Sequence, residues 1–432
     1  MRLIWGNVAE VVHQRDGVSE LQVTVDGRTG QARAICYPNL TGSVAVGERV
    51  LLNTTAVDWQ LGTGGSHFVV ARAQGADLRD DNTAVQFEAD MPDAGSEETD
   101  DVRAGHLMKL RYTPHQLNVL SVEAQESPHH KVMENRDSLE GVPVVCCGLH
   151  SQVPIVAAAI KKAMPDLTVG YVMDDAAALV LPLSKVLADA TQAGLIDCTV
   201  STGQAFGGDI EAINLYSGLI AAVHIGACDV VITGIGPGLA GTGTPFGHGG
   251  VAQGEAINAV ASLGGNPVMC LRMSQADSRS RHLGISHHSQ TALARVALAP
   301  ATVALPHMAD NCSVRELVDE QLDALPNTVG HQAFQFDATL FDVADLRDVV
   351  VNTMGRDFAQ DPIFYEAAAA AGTAAAMMAM MEPVPENEAE TEEQTAIAGA
   401  GTAATAARND ATAGHTCAGS SCASPCASRQ KD

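Results

Sequence analysis

Aromatic residues are scarce: Phe, Trp and Tyr make 4% of the 432 residues, although 46% are hydrophobic. Ala, Val, Ile and Leu carry the apolar content, which argues against an aromatic-rich β protein and for α/β layers. Positive charge is also short. Lys and Arg number 25 against 51 Asp and Glu, a formal net charge of −26. Nucleic-acid binding needs a basic stripe; none is present, which excludes nucleic acid as a partner. No apolar run reaches the roughly 18 residues that span a bilayer. The nearest, AAAAAGTAAAMMAMM at 367–381, is short and Ala-rich. The opening MRLIWGNVAEVVHQ lacks the basic-then-apolar order of a secretory leader. These absences predict a soluble cytoplasmic protein with no membrane partner. The ten cysteines show no disulfide-framework spacing. Cys36, Cys146, Cys147, Cys198, Cys228 and Cys270 lie in apolar strand-like runs, where Cys acts as a small buried hydrophobe.

The residues that are present change character along the chain. Residues 1–73 hold five or six short strand-like runs, among them ELQVTVDG, GQARAICY and SHFVVARA, separated by turn signals. That spacing predicts a small β-barrel or β-sandwich. Residues 74–104 lose periodicity and gain acid, as an acidic linker or long surface loop does. Over 105–370, apolar strands alternate with helix-sized stretches: VPVVCCGL (142–149), LTVGYVM (167–173), IDCTVST (196–202), DVVITGI (229–235), NPVMCLRM (266–273) and ATVALP (301–306). Near-continuous apolar strands joined by helices mark a parallel sheet buried on both faces. The expected fold class is therefore α/β: a mostly parallel Rossmann-like sheet with helices on both faces, preceded by a small all-β barrel-like N-terminal domain. Gly194, Gly226 and Gly264 are expected to end helices, and residues 107–123 to add one or two edge strands. Residues 371–432 read as an Ala/Glu-rich low-complexity tail, largely disordered beyond a Met-rich helix. Its Cys417, Cys422 and Cys426 fit no common zinc spacing.

Ligands of open parallel sheets bind beyond the carboxyl ends of the strands. The segments just after the strands hold His150; Asp174 and Asp175; a glycine loop, GTGTPFGHGGVAQGEA (241–256); an Arg/His stretch, RMSQADSRSRHLGISHHSQTALARVAL (272–298); and His307. GPGLAG (236–241) has the G-x-G-x-x-G form, but Pro245 delays the helix and the next strand closes on Arg272 instead of an acid, so a dinucleotide fingerprint is weak. No G-K-[ST] comes after it, which removes a Walker-type loop. The general feature survives. Backbone N–H groups of Gly236, Gly238, Gly241 and Gly243, with Thr242 and Thr244 and the helix start near Gly249 and Gly250, suit an anion. A glycine turn needed only for close packing is the alternative. Arg272, Arg279 and Arg281 supply charge-assisted donors to a phosphate or carboxylate, and Ser286 or Ser289 caps the next helix. His248, His287 and His288 are candidates for acid, base or ligand; neighbouring histidines do not share one helix face, so one of His287 and His288 is expected to point inward. Surface ion pairs and backbone-satisfied histidines are the plain alternative. Convergence of His150, Asp174, Asp175 and His307 with His248 and His287 would hold a metal, although no H-E-x-x-H or paired C-x-x-C demands one. No G-x-S-x-G elbow is present. The sequence names no cofactor.

At LLNTTAVDWQLGTGGSHFVVA, GLHSQVPIVAAA, GTGTPFGHGGVAQGEAINA and RHLGISHHSQTALARVALAPATVALP the chain resembles an uncharacterised bacterial family known as a domain of unknown function. The resemblance covers most of residues 1–370. It implies a soluble bacterial protein and brings no activity, substrate or catalytic residue. The expectation from the residues is a protein that binds, and in one version acts on, an anionic phosphorylated small molecule or nucleotide at the glycine and Arg/His loops. Two alternatives stand beside it: a non-enzymatic regulatory or scaffold protein with a partner-docking β-domain, and a metal-dependent hydrolase using a His/Asp cluster. A homo-oligomer is compatible with each.

Overall fold

Alternation of apolar and polar residues builds the first sheet. In Val18–Val25, Leu21, Val23 and Val25 turn inward while Glu20, Gln22 and Thr24 take the less buried positions. The computed structural model describes residues 1–15, 18–60, 65–73, 105–310, 312–336 and 341–381. The acidic stretch 74–104, and the tail beyond 381 with Cys417, Cys422 and Cys426, lie outside the described residues. Strands β1 (Leu3–Arg15), β2 (Val18–Val25), β3 (Gln31–Cys36), β4 (Arg49–Asn53) and β5 (His67–Arg72) close a barrel in the order β1-β2-β3-β5-β4. Single-turn helices α1 (Pro38–Thr41) and α2 (Thr55–Asp58) interrupt it. Closure leaves no free edge, and Val8, Leu21, Val23, Val50, Leu52 and Val69 fill the interior. Asn53, fully buried, donates from Nδ2 to the carbonyl oxygens of Pro114 and Gln116 at 2.9 Å each, which ties the barrel to the next segment. There β6 (Leu107–Lys109) and β7 (Leu117–Val119) pair only with each other. They do not themselves join the large sheet; of the segment 107–123, expected to add one or two edge strands, Ser121 reaches it through a parallel bridge to Glu211. The single-turn α3 (His130–Glu134) comes next.

The α/β part is one eight-stranded parallel sheet. Its strands are β8 (Pro143–Cys147), β9 (Val169–Asp174), β10 (Cys198–Ser201), β11 (Ile210–Glu211), β12 (Val230–Ile235), β13 (Asn266–Cys270), β16 (Thr302–Pro306) and β17 (Gln332–Phe336), in the order β11-β10-β9-β12-β8-β13-β16-β17. A two-stranded ribbon, β14 (Met273–Ser274) with β15 (Gly284–Ile285), folds the loop after β13. All six strands read from the sequence are present. β12 lies between β9 and β8, whereas the dinucleotide fold pairs its first two strands directly.

Side-chain alternation divides the core into two layers. Val145, Cys147, Tyr171, Met173 and Ile232 face one layer; Val144, Cys146, Val172 and Val231 face the other. Helices α4 (Val153–Ala163) and α5 (Lys185–Gln192) pack in the first, with most of α10 (Pro362–Ala379); α6 (Leu215–His224), α7 (Ala252–Ser262) and α9 (Arg315–Ala324) pack in the second. The handedness of βαβ crossovers explains this division. The connections leaving β8, β9 and β10 run towards one edge of the sheet, and those leaving β11, β12, β13 and β16 run towards the other. Helices α5 and α7 end before Gly194 and Gly264, at φ +66 and +67, as expected of helix-terminating glycines. At α6 the left-handed residue is Ala227, and Gly226 serves packing: a Cβ there would stand 2.7 Å from the Ala222 carbonyl oxygen. The cysteines expected in strands are buried and free. Among the described residues no helix is long and apolar enough to cross a membrane.

Composition placed the end of the α/β region at 370, but α10 runs on to Ala379, with Ala371, Ala374, Ala375 and Ala376 fully buried. Ala-rich sequence lets α10 approach α4 closely. At Gly372 a Cβ would lie 2.4 Å from the Val156 carbonyl oxygen. Gly372→Val is therefore expected to cost about 1–3 kcal/mol through overpacking, read as a lower urea midpoint with unchanged slope; an unaltered midpoint would show that the two helices separate freely.

Candidate functional site

Parallel strands deliver their carboxyl ends to one rim, and a cavity of about 590 Å3 opens there. Its walls come from Leu149 to Ser151 after β8, Gly236 to Gly243 after β12, Arg272 to His288 after β13 and Val350 to Met354 after β17, with Val186 of α5. Neighbouring β8 and β12 send their next helices, α4 and α7, to opposite faces. The loops therefore part above the sheet and leave the crevice.

The glycine loop folds back on itself. Thr242 N donates to Gly247 O at 2.9 Å, Gly249 N to Ala240 O at 3.0 Å, and Gly241 pairs with His248. Thr242 and Thr244 share a hydrogen bond of 2.9 Å and bind the Gly247 backbone, so they pin the turn and do not line the cavity. Gly236, Gly238, Gly241 and Gly243 do line it. Gly249 and Gly250 do not; a Cβ on Gly249 would meet Leu239 at 2.8 Å, and one on Gly250 would meet His248 Nδ1 at 3.0 Å. Those two glycines permit packing, the plainer of the two readings for them.

The Arg/His loop faces the glycine loop directly. A Cβ on Gly243 would lie 3.6 Å from the Arg281 guanidinium carbon. Arg279 chelates Asp277 through Nε and Nη2 at 2.9 and 2.8 Å. Arg356 Nη2 reaches the same carboxylate at 3.4 Å and Arg272 Nη2 at 3.8 Å. Asp277 is buried, and the Arg279 hydrogen bonds hold its carboxyl well below the usual range. Arg356 Nε also binds Asp361 at 2.9 Å, which accepts from the Ser274 hydroxyl at 2.5 Å. Arg281 has no ion-pair partner among the described residues, is exposed, and lines the cavity. Burial brings Arg272 down to about 10, still cationic at neutral pH.

Behind this wall four imidazoles gather. His248 stacks on His288 with centroids 3.9 Å apart; His287 and His288 are 4.4 Å apart, and His282 is 5.0 Å from each. Both His287 and His288 thus join the cluster at the start of α8 (His287–Thr291), which continues as a wider π turn over Ala292–Val296, while of the two only His288 lines the cavity. Ser286 caps α8 and contacts His282 Nδ1 at 2.8 Å; being fully buried, it is scaffold and not a ligand donor. Burial is the largest cause lowering all four imidazoles, to about 3 for His282 and about 2 for His288; for His282, His287 and His288 neighbouring arginines add to it, and Arg272 also lowers His248, opposed by its Pro245 hydrogen bond.

The other metal candidates do not converge on these histidines. His150 lines the cavity, but its ring is engaged: Nε2 lies 2.6 Å from Ser184 Oγ and Nδ1 3.3 Å from Ile235 O. The Ile235 carbonyl only accepts, so Nδ1 of the neutral ring carries the proton, and the Ser184 hydroxyl, which also accepts from Leu187 N as the α5 cap, donates to Nε2. Asp174 and Asp175 accept from the backbone N–H groups of Ala176 and Gln204 at 2.8 Å each and serve turns. His307 is exposed after β16. The His/Asp cluster expected from the sequence is therefore not assembled.

A family model described as "Protein of unknown function (DUF3866)" matches residues 33–372. The chain belongs to the DUF3866 family. No curated protein and no solved structure matches it. The matched span of this DUF3866 chain contains every wall of the cavity.

The wall at 350–354 and its anchors Arg356 and Asp361 have no counterpart among the sequence candidates. The cause is β17, QAFQF, whose residues are exposed except for a half-buried Phe336. A polar edge strand gives no apolar run, so nothing marks the loop beyond it as rim. The available signal is the Arg and Asp spacing before the Ala-rich helix.

The neutral state of His150 has a consequence for acid stability. Burial lowers its folded-state value to about 4, below the unfolded value near 6.5. The unfolded chain then binds the extra proton first, so this contribution to stability falls as pH drops from about 6.5 towards 4, by up to roughly 3 kcal/mol. His150→Gln is expected to flatten the decline in urea midpoint between about pH 7 and pH 5; an identical pH slope in the variant would assign the acid sensitivity elsewhere.

Proposed function

We propose that the rim cavity binds an anionic phosphorylated small molecule or nucleotide. The observation that carries this reading is Arg281, a guanidinium without an ion-pair partner among the described residues, set against the glycine loop at Gly243 on the cavity wall. Arg272, Arg279, Arg281 and Arg356 stand against only Asp277 and Asp361, so this part of an acidic protein is locally positive. The glycine backbone approaches the anion and Arg281 clamps it, with Arg279 held in place by Asp277. Binding is the claim; no reacting group is assigned. The metal-hydrolase version built on Asp174, Asp175, His150 and His307 loses its support, since those residues are committed elsewhere or exposed. We take the sheet as Rossmann-like in the broad sense that its ligand lies beyond strand ends, and on composition and family resemblance we infer a bacterial cytoplasmic protein.

A panel of nucleotides and sugar phosphates, screened by thermal shift on the full chain, tests this. At least one member is expected to raise Tm, and Arg281→Ala to weaken its binding about tenfold or more, as the loss of a charge-assisted bond does. Arg279→Ala should weaken it as well, with a smaller direct effect. Equal shifts in wild type and Arg281→Ala, or none across the panel, would remove the reading.

A further inference from the structure

We propose that His248, His287 and His288 form a three-imidazole site for a late first-row divalent cation, Zn2+ by preference. One ring nitrogen from each residue lies within 4.8 Å of the other two. Zinc–nitrogen bonds of about 2.0–2.1 Å place tetrahedral ligands roughly 3.3 Å apart, so closure needs about 1.5 Å of side-chain movement, together with rotation of one of the stacked His248 and His288 rings, which lie 10° from parallel while imidazoles ligate in plane.

Two of the three rings present a nitrogen unpartnered among the described residues. His248 Nε2 lies 3.0 Å from the Pro245 carbonyl oxygen. A carbonyl only accepts, so Nε2 carries the proton and Nδ1 keeps its lone pair. Among the described residues, Nδ1 of His248 and Nε2 of His287 are buried and have no hydrogen-bond partner. His248 itself is 6% exposed. A backbone carbonyl that fixes the tautomer from the far side of the ring is the support metal-bound histidines usually have. Glycines keep the space clear: a Cβ on Gly250 would stand 3.0 Å from His248 Nδ1, and one on Gly241 would stand 3.4 Å from His288 Nε2.

The donor set selects the ion. No carboxylate among the described residues completes the group, which disfavours Mg2+ and Ca2+, and imidazole nitrogen suits Zn2+ and its neighbours. Three protein ligands leave a fourth position for a small molecule. His288 also lines the cavity, so that position borders it. Arg272 Nη1 stands 3.4 Å from His288 Nδ1; a guanidinium only donates, so the contact uses the Nδ1 lone pair and ligation by His288 replaces it. The Arg272 charge opposes a bare cation and favours one that carries an anion.

The test uses full-length protein stripped with chelator and titrated with Zn2+ alone, then with Co2+ for its visible ligand-field spectrum. No phosphorylated ligand is present, so failure here is separate from failure of the anion reading. Wild type is expected to take up about one metal ion at this site, with the absorption of a tetrahedral nitrogen-ligated centre. His248→Gln and His287→Gln should each weaken binding about tenfold or more while retaining the wild-type circular dichroism spectrum. Replacing Cys417, Cys422 and Cys426 with Ser should leave that binding intact. Undiminished metal uptake in a folded His248→Gln/His287→Gln double variant, loss of uptake in the Cys variant, or no uptake by wild type would each overturn the proposal.

Discussion

Parallel pairing makes every strand of the large sheet point the same way, so every carboxyl end reaches the same rim. The cavity depends on this constraint. Leu149, Gly236, Arg272 and Val350 are distant in the chain and meet because β8, β12, β13 and β17 all finish on one side. The insertion of β12 between β9 and β8 adds the opening. Adjacent strands then turn to opposite faces, and their loops cannot close over the space between them.

Within that frame the Asp277 carboxylate organises the positive wall. It gathers Arg272, Arg279 and Arg356 from the loop after β13 and the approach to α10. Removing one partner of a buried, hydrogen-bonded ion pair costs more than the pair contributes, so these arginines are held in position together. Arg281 stands outside the network, on the cavity wall. Behind it, burial keeps four imidazoles neutral at neutral pH, which preserves their lone pairs beside several guanidiniums.

Much of the framework is legible in patterns. Period-two alternation marks the barrel, and unbroken apolar runs such as VPVVCCGL and DVVITGI mark central strands buried on both faces. The glycine loop and the Arg/His loop are legible as separate polar turns after their strands. The wall at 350–354 is not, because QAFQF is a polar edge strand without an apolar signature. The roles of individual glycines are not legible either. Gly243 borders the cavity while Gly250 makes room for two histidines, and nothing in the letters separates them. Adjacent histidines diverge at His287 and His288, so His288 alone of the two lines the cavity, yet their rings still stand 4.4 Å apart and both meet His248, which the letters do not show.

The sequence by itself determined the two-part α/β architecture, the absence of a basic stripe, and the end of the sheet where polar groups collect. Burial periodicity and charge counts are local properties of the chain, and they carry that much. The tertiary structure alone decided strand order, the partnership of Arg356 with Asp277, and the meeting of His248 with His287 and His288. Such contacts join distant residues, 79 positions apart for Arg356 and Asp277, and they depend on which strands lie side by side. Side-chain pattern specifies which face of a strand is buried; it does not specify its neighbour.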